Sequence, residues 1–422
     1  MYKYLSNEDL EIGFKQATKA YAALGVDVEK AIGDALSIPL SVHCWQGDDV
    51  VGFEPGNGTL TGGILATGNY RGRASTPAQL RTDIETAFAL IPGKKKVNLH
   101  AFYAETKGKK VERDELAPEH FSEWISWAVA QSYGLDFNPT YFSHPLSASG
   151  YTLAHADEKI RSFWIRHGKT SHKIAAAMST ATGSAVVNNI WIPDGSKDYP
   201  ADRLGPRERL KASLDEILAT RSDKVIDTVE SKLFGLGSEA YVVGSHEFYL
   251  AYAVSKRVFL CLDTGHFHPT ETIVDKITAL LPFVPGLLFH LSRGMRWDSD
   301  HVTTFSDDLV ATFLELKRAK ALSTAHFALD YFDASINRIS AWVIGARAVR
   351  KAILAALLDP TALIQSAEKS ANFGTRLALM EESKHLPLSA VWDELCRRAG
   401  SPVGATWINA AEKYDEDVLS KR

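Results

Sequence analysis

The residues able to do chemistry crowd into one part of the chain. Asp263-Thr-Gly-His266 ends one apolar run, His290 ends the next, and Asp298-Ser-Asp300 follows closely. Glu230-Ser-Lys232 stands upstream and Asp330 downstream, each again where a run of strand length stops. Asp263 and His266 are three residues apart, so a short turn can aim both at one point. Asp298 and Asp300 are two apart, as are Glu230 and Lys232, and in extended chain that spacing places both side chains on one face. Carboxylates mixed with imidazoles suit a divalent ion of the Mn, Zn, Co or Mg kind. A cluster of Glu230, Asp263, Asp298, Asp300 and Asp330 would repel itself if left unneutralised. Two divalent ions resolve that repulsion, with Asp263 bridging or lying between them. The pattern predicts a two-metal site at one end of a barrel.

Each of these residues also has an ordinary reading. A strand-end Asp can cap a helix, and His100 or His290 can be a hydrogen-bonded core residue. Trp191 and Phe137 taken singly read as core aromatics, and Lys232 could simply pair with Glu230. Recurrence favours the ligand reading: residues of ligand type at successive strand ends are hard to explain as independent caps.

The elements that must position them alternate in a regular rhythm. Strand-like runs end in His43, His100, Asn138, Trp191, Glu230, Asp263, His290 and Asp330. Helical patterns at 77–90, 118–133, 157–182, 206–220, 238–254, 269–281 and 307–320 separate them. Near-continuous apolar strands alternating with helices argue for a parallel sheet buried on both faces. Eight such units predict an α/β fold, a (β/α)8 TIM barrel, whose chemistry gathers at the C-terminal ends of the strands. A doubly wound open sheet is the alternative, but it would draw a site from only a few strands. The opening, 8–36, reads as one or two helices, and 51–77 as a Gly/Thr/Asn-rich loop over the mouth. Helices are expected at 336–358, 360–382, 388–398 and 407–419. The predicted division is a barrel domain at 1–358 and a helical, oligomerising extension at 359–422.

Composition sets the outer limits. The 422 residues are 45% hydrophobic and 23% charged, with a formal net charge of −4. That balance gives no argument for nucleic acid. Lys94-Lys95-Lys96 follows Pro92-Gly93 and reads as a solvated turn before a strand. Cys44, Cys261 and Cys396 are few and far apart, as expected of buried free thiols. No signal-peptide pattern opens the chain and no apolar run is long enough to span a membrane, so a cytoplasmic protein is expected.

Longer motifs carry a resemblance. Val229-Glu230-Ser-Lys232-Leu-Phe-Gly, Cys261-Leu-Asp263-Thr-Gly-His266-Phe-His-Pro-Thr-Glu271 and Arg296-Trp-Asp298-Ser-Asp300-His301 resemble the bacterial L-rhamnose isomerase family. So do His43-Cys-Trp45-Gln-Gly-Asp-Asp49, Asn98-Leu-His100, Leu135-Asp-Phe137-Asn-Pro, Asn189-Ile-Trp191-Ile-Pro-Asp-Gly195 and Leu329-Asp330-Tyr-Phe-Asp333. The resemblance covers essentially the whole chain, and the shorter pieces are also similar to the wider xylose isomerase group. It implies that Glu230, Asp263, His290 and Asp330 hold a first metal, and that His266, Asp298 and Asp300 hold a second, catalytic one, Asp298 sharing in catalysis. Lys232 would sit near the substrate O1 and His100 near the ring oxygen. Trp191 and Phe137 would wall the pocket, with Trp45 and Asp333 among the substrate contacts. The implied enzyme is a cytoplasmic homotetramer using Mn2+, with Zn2+ or Co2+ possible, that interconverts L-rhamnose and L-rhamnulose. Hydrogen would move between C1 and C2, by hydride shift or through an enediol. Another metal-dependent barrel enzyme, an epimerase or an isomerase of a different deoxyhexose, is the nearest rival. A non-catalytic sugar-binding protein is the rival from another class.

Overall fold

The computed structural model describes residues 2–54, 66–232, 239–268, 270–295 and 300–422. Eight parallel strands close into a barrel: β1 (Leu40–His43), β2 (Lys95–His100), β3 (Gly134–Asn138), β4 (Val186–Ile190), β5 (Val225–Glu230), β6 (Phe259–Asp263), β7 (Leu287–Leu291) and β8 (His326–Leu329). Their order around the barrel follows their order in the chain, and β8 pairs with β1 to close it. Parallel neighbours cannot be joined by a hairpin, so each crossover must carry a longer connection. Helices α3 (Pro77–Ala89), α4 (Ser122–Ala130), α5 (Glu158–Thr182), α6 (Leu204–Leu218), α7 (His246–Lys256), α8 (Val274–Leu280) and α9 (Asp307–Arg318) provide those connections.

Alternation along each strand divides the barrel. One set of side chains, including Val97, Leu99, Leu135, Phe137, Leu260, Leu262, Phe289 and Leu291, is fully buried in the main apolar core. The other set faces the barrel axis in layers. Lys96 and Asp136 meet in the lowest layer, and Asn138 donates to Asn98 above them at 2.7 Å. Val187, Cys261, Leu288 and Ala328 form a separate small apolar cluster that floors the upper end.

The helix boundaries follow local chemistry. Asp157 caps α5 by accepting from the backbone N–H of Lys159, and Gly183 ends it in the left-handed region at φ 66°. Ser306 caps α9, which carries acids in its first turn and bases in its last, matching the helix dipole. The opening forms two helices, α1 (Asn7–Ala22) and α2 (Val28–Ser37). The helix expected over 238–254 begins only at His246, since Tyr241–Val242 pairs with Gly195–Ser196 in a two-stranded brace. Residue 238 lies outside the described residues, as do Pro269 and the 55–65 part of the expected mouth loop. The rest of that loop is pinned at Ala334, which exchanges backbone hydrogen bonds with Thr67 and Tyr70.

Beyond β8, α10 (Arg338–Leu357) is deeply buried and its arginines serve as ties. Arg338 grips Asp49 with two nitrogens and reaches the carbonyls of Tyr70 and Arg71. Four shorter helices follow: α11 (Thr361–Lys369), α12 (Phe373–Ser383), α13 (Leu388–Arg398) and α14 (Trp407–Asp417). The single helix expected over 360–382 is thus two, broken where Ala371 turns to φ 55° and Asn372 caps the next. Helix α13 packs on α1 and α2, and α14 on α10. The basic run is not a solvated turn: Lys94 is exposed, but Lys95 and Lys96 belong to β2 and Lys96 is buried against Asp136. Cys44, Cys261 and Cys396 are free and buried. Among the described residues no helix is long and apolar enough to cross a membrane.

Candidate active site

A cavity of about 70 Å³ opens at the C-terminal ends of the strands, and two kinds of wall face each other across it. Glu230, His266, His290, Asp300 and Asp330, at or after β5 to β8, make one side, with Phe332 beside Asp300; Trp45, His100, Phe142 and Trp191, at or after β1 to β4, make the other.

Strand register builds the polar side. Glu230 ends β5 opposite Cys261 of β6, and Asp263, two residues on, lies opposite His290 of β7. Asp330 follows the last residue of β8. His290 Nδ1 lies 2.9 Å from Asp330 Oδ2, 3.3 Å from Glu230 Oε1 and 3.8 Å from Asp263 Oδ2. His266 Nδ1 is 3.4 Å from Glu230 Oε1. One donor atom from each of Glu230, Asp263, His290 and Asp330 lies within 4.8 Å of all the others, close enough for a single ion. The Cys261 thiol stands in the same relation to Glu230 and His290, from the layer below.

The electrostatics of this group favour a cation. Burial alone would lower the His290 pKa, but Cys261, Glu230 and Asp330 hold it well above the usual imidazole range. Burial would likewise raise Glu230, yet His290, His266 and the amide of Asn189 keep it below the ordinary carboxylate value. Burial lifts Asp330 despite its contact with His290. Such a field holds a proton on the imidazole; a divalent ion answers the same field with more charge. Asn189 donates to Glu230 Oε2 and accepts from the Thr228 hydroxyl at 2.5 Å, fixing the carboxylate from behind. The N–H of Gly265 donates to Asp263 Oδ1 at 2.6 Å.

The aromatic side is a chain of edge contacts. His100 meets Trp45 at 4.6 Å and Phe142 at 5.6 Å between centroids, and Phe142 meets Trp191 at 5.8 Å. Phe102 stacks on His100 from below and packs against Gly52, whose φ of 72° and lack of Cβ both matter: a Cβ there would sit 1.8 Å from the Phe102 ring. Burial, with Arg113 and His290 nearby, lowers the His100 pKa to about 3, so the ring is neutral. Its Nδ1 shares a hydrogen bond with Thr140 at 3.2 Å, leaving Nε2 for a ligand. Arg113 clamps the loop that carries Thr140 and Phe142: its guanidinium donates to the carbonyls of Thr140, Phe142 and Ser143 and pairs with Glu54.

Some expected residues are placed elsewhere. Phe137 does not wall the cavity. It is the strand neighbour of Asn138, which does, so its ring points the other way and packs on Phe121. Phe142, five residues later in the loop after β3, takes that place, and no strand alternation reaches that far to signal it. Asp333 turns its carboxylate to the N–H and hydroxyl of Ser335, while Gln46 exchanges two hydrogen bonds of 2.8 Å with its backbone. Lys232 does not pair with Glu230: its ammonium is buried between the Glu239 carboxylate and the Pro193 carbonyl, away from the cavity lining. Asp298 lies outside the described residues. Glu239, Asn189 and Arg113 were not singled out by the sequence, because their roles come from contacts across loops.

Comparison with known proteins agrees with this architecture. Residues 8–422 match the family described as L-rhamnose isomerase (RhaA). The L-rhamnose isomerase of Rhodopirellula baltica is 54% identical, covering 98% of this chain and 97% of its own length. That of Mannheimia succiniciproducens is 54% identical over 97% and 98% of the two chains. That of Citrobacter koseri is 52% identical over 98% and 99%. With an eight-stranded barrel, a carboxylate–imidazole cluster at its mouth and likeness over nearly its full length, the chain belongs to the L-rhamnose isomerase family.

Proposed function

We propose that this chain interconverts L-rhamnose and L-rhamnulose, moving hydrogen between C1 and C2, and that it does so with divalent metal. The observation that carries the reading is the facing of two walls, ligand-type residues on one side and neutral aromatic rings on the other. The donor set fits the ion: Glu230, Asp263, His290 and Asp330 converge with carboxylates in excess. These four would hold the first ion; His266 and Asp300, with Asp298, would hold a second. Mixed oxygen and imidazole donors suit Mn2+, with Zn2+ or Co2+ as substitutes. When bound, such ions neutralise the carboxylates and act as Lewis acids on sugar oxygens.

The chain's own residues supply the rest. Trp45, Phe142 and Trp191 offer apolar faces to the C–H side of a deoxyhexose and keep water from the reacting carbons. His100, neutral across the working range, can take or give a proton at the ring oxygen through Nε2. Lys232, held behind the cavity lining by Glu239 and the Pro193 carbonyl, would turn its remaining N–H toward negative charge developing on O1. Asp298 would relay the hydroxyl proton, and Asp333 would hold a sugar hydroxyl once its turn opens. Residues 359–422 would serve assembly into a homotetramer in the cytoplasm. Within them α11 and α12 carry exposed Leu363, Phe373 and Leu377, apolar surface not spent on the barrel.

The test is ketose formation from L-rhamnose by metal-stripped protein, with and without Mn2+. Restored turnover is expected. Protein that rebinds ions but turns over nothing with Mn2+, Co2+, Zn2+ or Mg2+ would overturn the assignment.

A further inference from the structure

Lys232 is the one lysine in the Glu230-Ser-Lys232 motif, and it is held by partners that a single small structure delivers. Its side chain and that of Glu239 are 4% and 8% exposed, with the ammonium against Glu239 Oε1 and 2.8 Å from the carbonyl of Pro193. Both partners lie two residues before a strand of the two-stranded brace. The N–H of Ala240 donates to Lys197, Tyr241–Val242 pairs with Gly195–Ser196, and the N–H of Val243 donates to Asp194. The backbone N–H of Lys232 itself donates to Gly244. The segment 239–244 is therefore laced to both the loop after β4 and the first residues after β5. Gly195 is required where the brace crosses, since a Cβ there would meet the Tyr241 carbonyl at 2.5 Å.

We propose that Glu239 is the positioning residue for Lys232, an assignment that rests on reading Lys232 as the group facing O1. An ammonium has three N–H donors. Glu239 and Pro193 take two, and tetrahedral geometry then fixes where the third can point. A buried lysine beside a carboxylate-rich cluster would otherwise be drawn toward Glu230, two residues away. Glu239 offers a competing carboxylate on the far side and keeps the ammonium out of the ligand set. The carboxylate is itself kept in place by the brace, so the arrangement is preorganised before sugar arrives.

The experiment compares Glu239→Gln, Glu239→Asp, Lys232→Met and the Glu239→Gln/Lys232→Met double variant as Mn2+-loaded full-length proteins. Metal content is matched by elemental analysis and folding checked by thermal melting. Glu239→Gln is expected to lower kcat roughly tenfold to a hundredfold, the scale of a small misplacement of a catalytic group, with a much smaller change in KM for L-rhamnose. Glu239→Asp keeps the charge with less reach and should fall between; it also stands in should the Gln variant fail to fold. In the Lys232→Met background Glu239→Gln should do nothing further, since the two act through one path. Full turnover in Lys232→Met would remove the reading of Lys232 on which the proposal rests. An inactive Lys232→Met beside a Glu239→Gln of unchanged kcat, even one with a lowered melting temperature, would overturn the role of Glu239 alone.

Discussion

The two ends of the barrel interior hold polar clusters of opposite character. At the N-terminal end, Lys96 Nζ lies 2.5 Å from Asp136 Oδ1 and 2.8 Å from the Ala185 carbonyl, and the N–H of Val187 also donates to Asp136 at 2.7 Å. One cation answers one carboxylate. At the C-terminal end, among the described residues, Glu230, Asp263, Asp300 and Asp330 share one rim with His266 and His290. The first cluster pairs one charge with one; the second holds four carboxylates to two imidazoles among the described residues, an excess that a bound cation would answer. Both clusters are largely buried, so burial alone does not distinguish structure from function in this barrel. Charge balance does.

The largest expected effect breaks the unbalanced end. Glu230→Gln keeps the shape and the contact with Asn189 but removes a charge from the ligand set. Metal bound per chain should fall, and with it several kcal/mol of transition-state stabilisation, roughly a thousandfold in turnover. Elemental analysis and ketose formation measured together check this. A variant that kept both metal and turnover would show that the carboxylate excess serves something else.

The balanced end should respond in stability instead. Lys96→Met leaves Asp136 buried without its cation, which is expected to cost about 3–5 kcal/mol of folding stability. The Lys96→Met/Asp136→Leu pair should recover most of it, because the unpaired charge is gone. Chemical denaturation measures both, and metal affinity and KM should stay near those of the parent. Loss of metal rather than stability in Lys96→Met would erase the distinction between the ends.

A smaller effect is expected from a residue that touches the unbalanced end without joining it. Asn189→Ala frees the back of Glu230, and loss of such support typically costs about 10- to 100-fold in metal affinity. Titration of Mn2+ into stripped protein reads this directly; an unchanged affinity would mean the strand alone orients Glu230.

These clusters were legible in the sequence to different degrees. The barrel could be read because each strand is a nearly continuous apolar run that stops at a reactive residue. Glu230, His266, His290 and Asp330 converge for the same reason: strand ends in a closed barrel share one rim. What escaped were features set by side-chain direction or by contacts between loops. Phe137 and Asn138 are adjacent, and only the register with His100 decides which faces the axis. Lys96 reads as a surface charge until Asp136 of the next strand is placed beside it. Glu239 answers Lys232 only because a brace between two crossovers brings it back.

Asp48 sharpens the comparison from a third direction. It is buried like Asp136 and Glu230, but its carboxylate accepts from neutral donors, the Tyr103 hydroxyl at 2.6 Å and the Gly52 N–H at 2.7 Å. No lysine is paired with it among the described residues, and the pull of Arg73 is opposed by Asp49, so the remaining answer to burial is a proton. Burial raises its pKa from 3.8 to about 7, against the lowering effect of those two donors. The folded value lies above the unfolded one, so the folded chain binds the extra proton. The stability this contributes is full below about pH 4 and is lost as pH rises through about 7. Paired carboxylates such as Glu230 act in the opposite sense, so the total slope is not informative by itself. The difference between parent and Asp48→Asn is. Denaturation midpoints at about pH 5 and about pH 8 should show the parent losing more stability on going to the higher pH than Asp48→Asn does. Parallel shifts in the two proteins would mean that Asp48 keeps its charge, and that two neutral donors with Arg73 nearby can balance a buried carboxylate in this fold.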